Sequence, residues 1–263
     1  MEWELFEKIA EQLAAEPLLS LIVFDLQNEP LLDKRIFEWV RYVKSKAPGK
    51  PCLMVTNGEL LDKFNPLDIT QSNLDELMIS LNANSKGTYE RISNGLSYDR
   101  VMNNISTLLA DPLLKQRVSL SFLLTRENTD EVYQAARYWK TQGVRIRVIE
   151  PTNRAGVLSN YEKIKPVTHY HEDSLVSRIR KPIMSRLAAI TGCFLPFYHM
   201  TILFNGDCIV CCHDWGRASV VGNLKTASLK EIWNSQEMNK IRRLIRKKNY
   251  EQINACRGCS MAR

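Results

Sequence analysis

The sequence predicts an α/β protein: a partial parallel (β/α) barrel that lacks its first strand, followed by a small α+β domain rich in cysteine. Three observations lead there. Apolar runs alternate with amphipathic helical stretches from Met1 to Glu150, the pattern of parallel strands joined by helical crossovers. The first of these elements is a helix with no strand before it. Six of the seven cysteines, Cys193, Cys208, Cys211, Cys212, Cys256 and Cys259, fall in the last third of the chain, with Cys52 standing apart.

The opening stretch MEWELFEKIAEQL sets Leu5, Phe6, Ile9 and Leu13 at helical spacing but offers no Ser, Thr, Asp or Asn to cap the first free N–H groups. The strand LLSLIVFDL follows, then a helix from Lys34 to Ser45, the strand PCLMV, a short helix near Glu59 to Phe64 and the strand LDELMISLN. A helix from Tyr98 to Leu109, the strand RVSLSFLLT, a helix from Thr129 to Thr141 and the strand VRIRVIE complete the run. Ligands of parallel α/β folds gather at the carboxyl ends of the strands. The segments there are QNEP, TNG, SLNAN, TREN and EPTNRAG, all with small or polar groups suited to hydroxyls, amines and carboxylates. Strand-to-helix turns favour the same residue types for their own hydrogen bonds, so both uses stay open for any one loop.

From Gly192 the pattern changes. Asn205-Gly206 between two β-rich runs is a strong hairpin signal, with Cys193 before the first strand and Cys211 at the end of the second. Ser228 stands as the N-cap of an amphipathic helix, and CRGC follows near the end. Four thiolates from a hairpin and a C-x-x-C pair can converge on one site. Strand alternation would send Cys211 to the face opposite Cys208 and Cys212 unless the strand ends there. Cys208 and Cys212 read as small buried hydrophobes. His213 reads as an exposed hairpin-end residue, and His169 and His171 as polar linker residues.

Composition narrows the classes. With 44% hydrophobic residues the chain has enough apolar side chains for a real core, which excludes disorder. The net charge of +7 is scattered, concentrating only in Lys240 to Gln252, where Ile241, Leu244 and Ile245 keep helical spacing. That stretch reads as a solvated helix face before it reads as a patch for an anionic substrate, and nucleic acid is not an expected partner. The longest apolar run, LLSLIVF, is far short of the roughly 20 residues that span a bilayer. No membrane segment or secretory signal is seen, the cytoplasm is the default, and cysteines in that compartment point to metal rather than to disulfides.

The segment LQNEPLLDKRIFEWVRYVKSKAPGKPCLMVTNG resembles the stretch of radical S-adenosylmethionine (SAM) enzymes from the GGEPLL loop to the TNG strand end. LDELMISLNANSKGTYERIS is similar to that superfamily's fourth strand and following helix. The tail, Cys193-x12-Gly206-x4-Cys211 with Cys256-x2-Cys259, resembles the SPASM domain in its shortened twitch form, as in the aminocyclitol dehydrogenases. The resemblance implies a barrel over residues 1–160, a linker over 161–191 and the iron-sulfur domain over 192–263. It implies that Cys193, Cys211, Cys256 and Cys259 hold one auxiliary [4Fe-4S] cluster, Cys211 being preferred because it fits the Gly-x4-Cys pattern, with Cys212 as substitute. Glu29 and Pro30 match the loop whose backbone holds the SAM amino group, and Gln27-Asn28 replaces its usual glycine pair. Ser80 and Asn82 match strand-end positions that reach the SAM ribose or carboxylate. The activity implied is radical oxidoreductase chemistry on a sugar, aminocyclitol or peptide, with flavodoxin or ferredoxin as electron donor.

One departure is large. The Cys-x3-Cys-x2-Cys triad that carries the SAM-cleaving cluster is absent, and Cys52 alone cannot replace it. The expectation is that Met1 is an internal methionine, that the triad belongs upstream, and that the chain as given does not cleave SAM. A reading from another class keeps the four cysteines and drops the enzyme: a binding module with a structural zinc site of four thiolates.

Overall fold

The computed structural model describes residues 1–167 and 192–262. Helix α1 (Trp3–Ala15) opens the chain, which divides into two compact units. The first holds Leu13–Pro151 with the described residues from Ile164; the second holds Met1–Gln12, Thr152–Lys163 and the described residues from Gly192.

The first unit is built on five strands, β1 (Ile22–Phe24), β2 (Cys52–Thr56), β3 (Glu76–Ser80), β4 (Val118–Leu123) and β5 (Arg145–Ile149), all parallel and in sequential order. The register pairs Ile22 with Cys52, Met54 with Leu77, Ile79 with Leu120 and Ser121 with Arg147. The inner strands are nearly continuous buried runs, as strands covered on both faces must be, and Leu77, Met78, Ile79, Leu120 and Phe122 form the centre of this core. At the edge, β5 alternates exposed and half-buried residues. The α/β class and all five strand positions agree with the sequence, although β1 is shorter than LLSLIVFDL suggests.

The intervening helices are α2 (Ile36–Lys46), α3 (Pro66–Gln71), α4 (Lys86–Ile92), α5 (Tyr98–Ala110), α6 (Pro112–Arg117) and α7 (Thr129–Thr141). The helix expected near Glu59 to Phe64 is only a 3-10 turn at Leu61–Lys63. The helix starts later because the Asn65 side chain accepts the Leu67 N–H, and Pro66 occupies a first-turn position that needs no donor. Asp111 and Pro112 start α6 the same way.

The second unit carries α8 (Leu195–Tyr198) and an antiparallel sheet of β6 (Thr201–Ile202), β7 (Asp207–Ile209) and β8 (Val220–Asn223), in that order. The hairpin turns at Asn205-Gly206 as expected; β8 is an addition that the sequence did not announce. The single tail helix is two. Ser228 caps α9 (Leu229–Trp233) in a reciprocal box with Glu231, and Ser235 then caps α10 (Gln236–Arg246) through the Met238 N–H. Helix α10 buries Met238, Ile241 and Ile245 and leaves Lys240, Arg243 and Lys247 in solvent, so the charged stretch is a solvated face.

Helix α1 contributes its first residues to this unit. Leu5, Phe6, Ile9 and Ala10 are buried, the Lys8 ammonium donates to the Leu224 carbonyl at 2.7 Å, and Gln12 accepts the Leu229 N–H at 2.7 Å. Among the described residues no helix is long and apolar enough to cross a membrane.

Candidate functional site

Along the first unit's sheet, the carboxyl ends of the strands are organised by a few side chains. Glu29, in the loop after β1, accepts the Thr56 hydroxyl at 2.6 Å, the Asn57 N–H at 2.8 Å and the Leu31 N–H at 3.1 Å. It thereby ties QNEP to the TNG end of β2, while Pro30 is buried at the start of a 3-10 turn. With three donors on its carboxylate, this loop can offer a ligand backbone groups rather than the Glu29 side chain.

Ser80 ends β3, and its hydroxyl lies 3.3 Å from that of Ser121. Asn82 adopts a left-handed φ of 58°, accepts the Leu123 N–H at 3.0 Å through Oδ1 and receives the Asn128 amide on its carbonyl at 2.6 Å. Asn128 is buried and also bonds the Leu123 carbonyl and the Thr125 N–H, each at 2.7 Å. Glu131, which no sequence signal singled out, accepts the N–H groups of Asn84 and Ser85 and the hydroxyls of Ser85 and Thr88. Desolvation works against its charge, but these hydrogen bonds prevail and hold the carboxyl below its ordinary range. Glu29, Pro30, Ser80 and Asn82 therefore stand at the carboxyl ends of β1 and β3, with TNG between them.

Cys52 is at the other end of the sheet, as the first residue of β2. It is fully buried, and burial pushes its thiol up to about 11, with Lys44 opposing and Asp75 adding to the rise.

In the second unit the thiols converge. Gly192 has φ +74°, and a Cβ there would lie 2.5 Å from the Tyr250 hydroxyl and 2.9 Å from the Ile245 carbonyl; only glycine lets the chain pass and places Cys193, whose N–H bonds that same Tyr250 oxygen. Strand β7 ends at Ile209, so alternation no longer governs the residues after it. Cys211 sits in the turn beyond, where burial pushes its thiol up to about 12, the N–H groups of His213 and Asp214 draw it down, and Cys212 and Cys256 push it up. Burial likewise raises Cys256 to about 12, with Cys259, Cys193 and Asp214 adding to it. Cys193 is raised by burial, lowered by the Leu195 N–H and raised by Cys259.

Cys193, Cys211, Cys256 and Cys259 are thus near enough to one another for each charge to be felt by the next, and none of the seven cysteines forms a disulfide. Among the described residues no three Cys, His, Asp or Glu side chains close around a single ion. Cys208 is fully buried in β7 with its thiol raised to about 12 by burial and Asp207, an inert core side chain as expected.

Residues 193–260 match the SPASM family, an iron-sulfur cluster-binding domain. The match covers the cysteine-bearing tail, and the whole chain shares its fold with the proteins below. A curated relative from Niallia circulans, the S-adenosyl-L-methionine-dependent 2-deoxy-scyllo-inosamine dehydrogenase, is 19% identical over 260 residues, spanning 99% of this chain and 80% of that protein. The crystal structure of BtrN in complex with AdoMet and 2-DOIA matches with TM-score 0.60 at 15% identity, over 99% of this chain and 80% of BtrN. Streptococcus suis SuiB bound to precursor peptide SuiA matches with TM-score 0.67 at 15% identity, over 91% of this chain and 59% of SuiB.

Two readings of the tail are corrected: Cys212 is only half-buried rather than a buried hydrophobe, and the histidine after it is not at the surface. His213 is not exposed: it is half-buried, shares a hydrogen bond with the Thr152 hydroxyl at 3.1 Å, and is held below its ordinary pKa by burial and then by His199. Asp214, fully buried, accepts the N–H groups of Ala218 and Ser219 and so fixes the turn that carries Cys211. His169 and His171 lie outside the described residues.

Proposed function

We propose that the SPASM domain holds one [4Fe-4S] cluster on Cys193, Cys211, Cys256 and Cys259, and that the chain serves radical SAM oxidoreductase chemistry on a small-molecule or peptide substrate. The observation that supports this most is the mutual proximity of four unoxidised thiols contributed by α8's leading loop, the turn after β7 and the C-x-x-C near the end. When bound, such a cluster supplies one-electron transfer or a substrate anchor. The protein's own part is to shield the sulfurs from water and to direct the Leu195, His213 and Asp214 N–H groups at Cys193 and Cys211, where they favour the thiolate form.

At the strand ends, Glu29 fixes its loop so that backbone carbonyls meet the SAM amino group, Pro30 sets that loop's turn, and Ser80 and Asn82 face the ribose or carboxylate. The named activity of the Niallia relative supports an aminocyclitol, and the SuiA complex supports a peptide. Flavodoxin or ferredoxin would supply electrons, and unpaired thiols suit the reducing cytoplasm. The 263 residues contain no Cys-x3-Cys-x2-Cys, and Cys52 is alone at the amino end of its strand, so by themselves they leave SAM uncleaved.

Anaerobic reconstitution tests the cluster: a brown protein with about four irons and four sulfides per chain is expected. Stoichiometric zinc without visible absorbance would replace this reading with the four-thiolate zinc module. Incubation with dithionite and SAM should give no 5′-deoxyadenosine above a protein-free control; turnover would mean that another part of the chain carries the catalytic cluster.

A further inference from the structure

The segment after β5, EPTNRAG, drew notice in the sequence as a strand end suited to ligands. In the structure Thr152 to Gly156 belong to the second unit and are engaged on both cysteine-bearing loops there. On one side, the Thr152 hydroxyl meets His213 Nδ1 at 3.1 Å, and the Arg154 guanidinium lies 3.6 Å from the Trp215 ring centroid, both within the turn that follows Cys211. On the other side, Asn153 grips the loop between and beyond Cys256 and Cys259. Its Nδ2 donates to the Gly258 carbonyl at 2.5 Å, its Oδ1 accepts the Ser260 N–H at 2.8 Å, and its own N–H bonds the Ser260 hydroxyl at 3.2 Å. Gly156 then runs against the Gly258 backbone, with space for a Cβ only at 3.6 Å from it.

Such an arrangement is held at a cost. Arg154 and Ala155 are consecutive non-glycine residues in the left-handed region, with φ of 51° and 58°, followed by Gly156 at +90°. Backbone strain of this kind persists only where surrounding contacts over-determine it. Besides the segment's own backbone bonds from Gly156 and Leu158 to the Asn153 carbonyl, the contacts that do so here lead to the loops carrying Cys211, Cys256 and Cys259.

We infer that Thr152–Gly156 is a strap that sets the spacing of the two cysteine loops, with Asn153 as the positioning residue for the Cys256–Cys259 pair. The inference rests on the reading of these cysteines as cluster ligands. Groups that orient ligands from behind typically change metal affinity 10- to 100-fold when removed.

The test uses the full chain and two readouts. In the metal-free protein, Asn153→Ala should raise the alkylation rates of Cys256 and Cys259 by iodoacetamide roughly tenfold, leaving the buried Cys208 unreactive. In the reconstituted protein the same variant should lose iron to a chelator about tenfold faster or more and alter the spectrum of the reduced cluster. Asn153→Asp keeps the acceptor for Ser260 but loses the donor to Gly258, and should fall between. Gly156→Ala, disfavoured by its positive φ, should act in the same direction as Asn153→Ala. Unchanged alkylation of Cys256 and Cys259 in Asn153→Ala would overturn the strap, as would wild-type iron release in a protein that does load. If the wild type takes up no cluster, the cluster reading fails, and the alkylation rates still decide the strap. Should Asn153→Ala not fold, Asn153→Asp carries the same comparison.

Discussion

The polar ends of the parallel strands and the cysteine loops of the tail both looked like sites in the sequence, but they use their side chains differently. At the strand ends several polar groups are already engaged: Glu29 with three donors, Asn128 with two carbonyls and an N–H, and Glu131, which the sequence did not single out, with four donors. In the tail the thiols feel one another's charge; burial holds Cys193 and Cys211 above the ordinary thiol value, and backbone N–H groups draw them part of the way back. Asn, Thr and Glu can always find structural work in a turn, whereas gathered thiols without disulfides are the arrangement proposed above to hold a cluster.

The sharpest way to break this contrast is to remove one thiol from each class. Cys256→Ala should abolish most of the visible absorbance of the reconstituted protein, and Cys208→Ala should leave it intact; equal loss in both would mean that the tail cysteines act as core. Next in size, Asn128→Ala should cost about 3 kcal/mol in urea unfolding, since it strands the Asn82 and Leu123 carbonyls and the Thr125 N–H. A loss below about 1 kcal/mol, the net worth of a single hydrogen bond, would return Asn128 to the pool of ligand groups.

A pH titration gives a somewhat smaller effect at Cys52. Its folded pKa of about 11 lies above the ordinary 9.0, so its contribution is complete below pH 9. It is lost as pH rises toward 11, because the unfolded thiol ionises first. The loss is at most about 2 to 3 kcal/mol. Urea midpoints measured at about pH 8 and about pH 10.5, on either side of the ordinary thiol range, should differ less in Cys52→Ala than in the wild type. The smallest effect is at Glu29: Glu29→Gln should cost about 1 to 2 kcal/mol by losing one charge-assisted bond. If it instead weakens SAM binding with unchanged stability, measured by equilibrium dialysis and urea unfolding, the side chain touches the ligand and the contrast between the two regions blurs.

Four strands were legible as apolar runs and β5 as an alternation of Arg with Ile and Val, and the hairpin because Asn-Gly fixes its turn. The boundaries that slipped follow local capping: Asn65-Pro66 moved a helix start forward, and Ser235 divided the tail helix in two. At the site, the cysteine spacing announced the thiols, but neither Asn153 nor Glu131 could be read. Asn153 works through contacts more than 100 positions away, and an acid in the first turn of a helix looks like ordinary dipole complementation.

The bond from Lys8 to the Leu224 carbonyl spans 216 positions. During synthesis the face of α1 that carries Leu5, Phe6 and Ile9 therefore waits for its partner until most of the chain has emerged. At ordinary translation rates that interval is on the order of 10 to 40 s, long enough for the parallel sheet to fold first. Cys256 and Cys259 emerge later still, so the loops that carry Cys211 and the C-x-x-C pair can close on each other only near the end of synthesis.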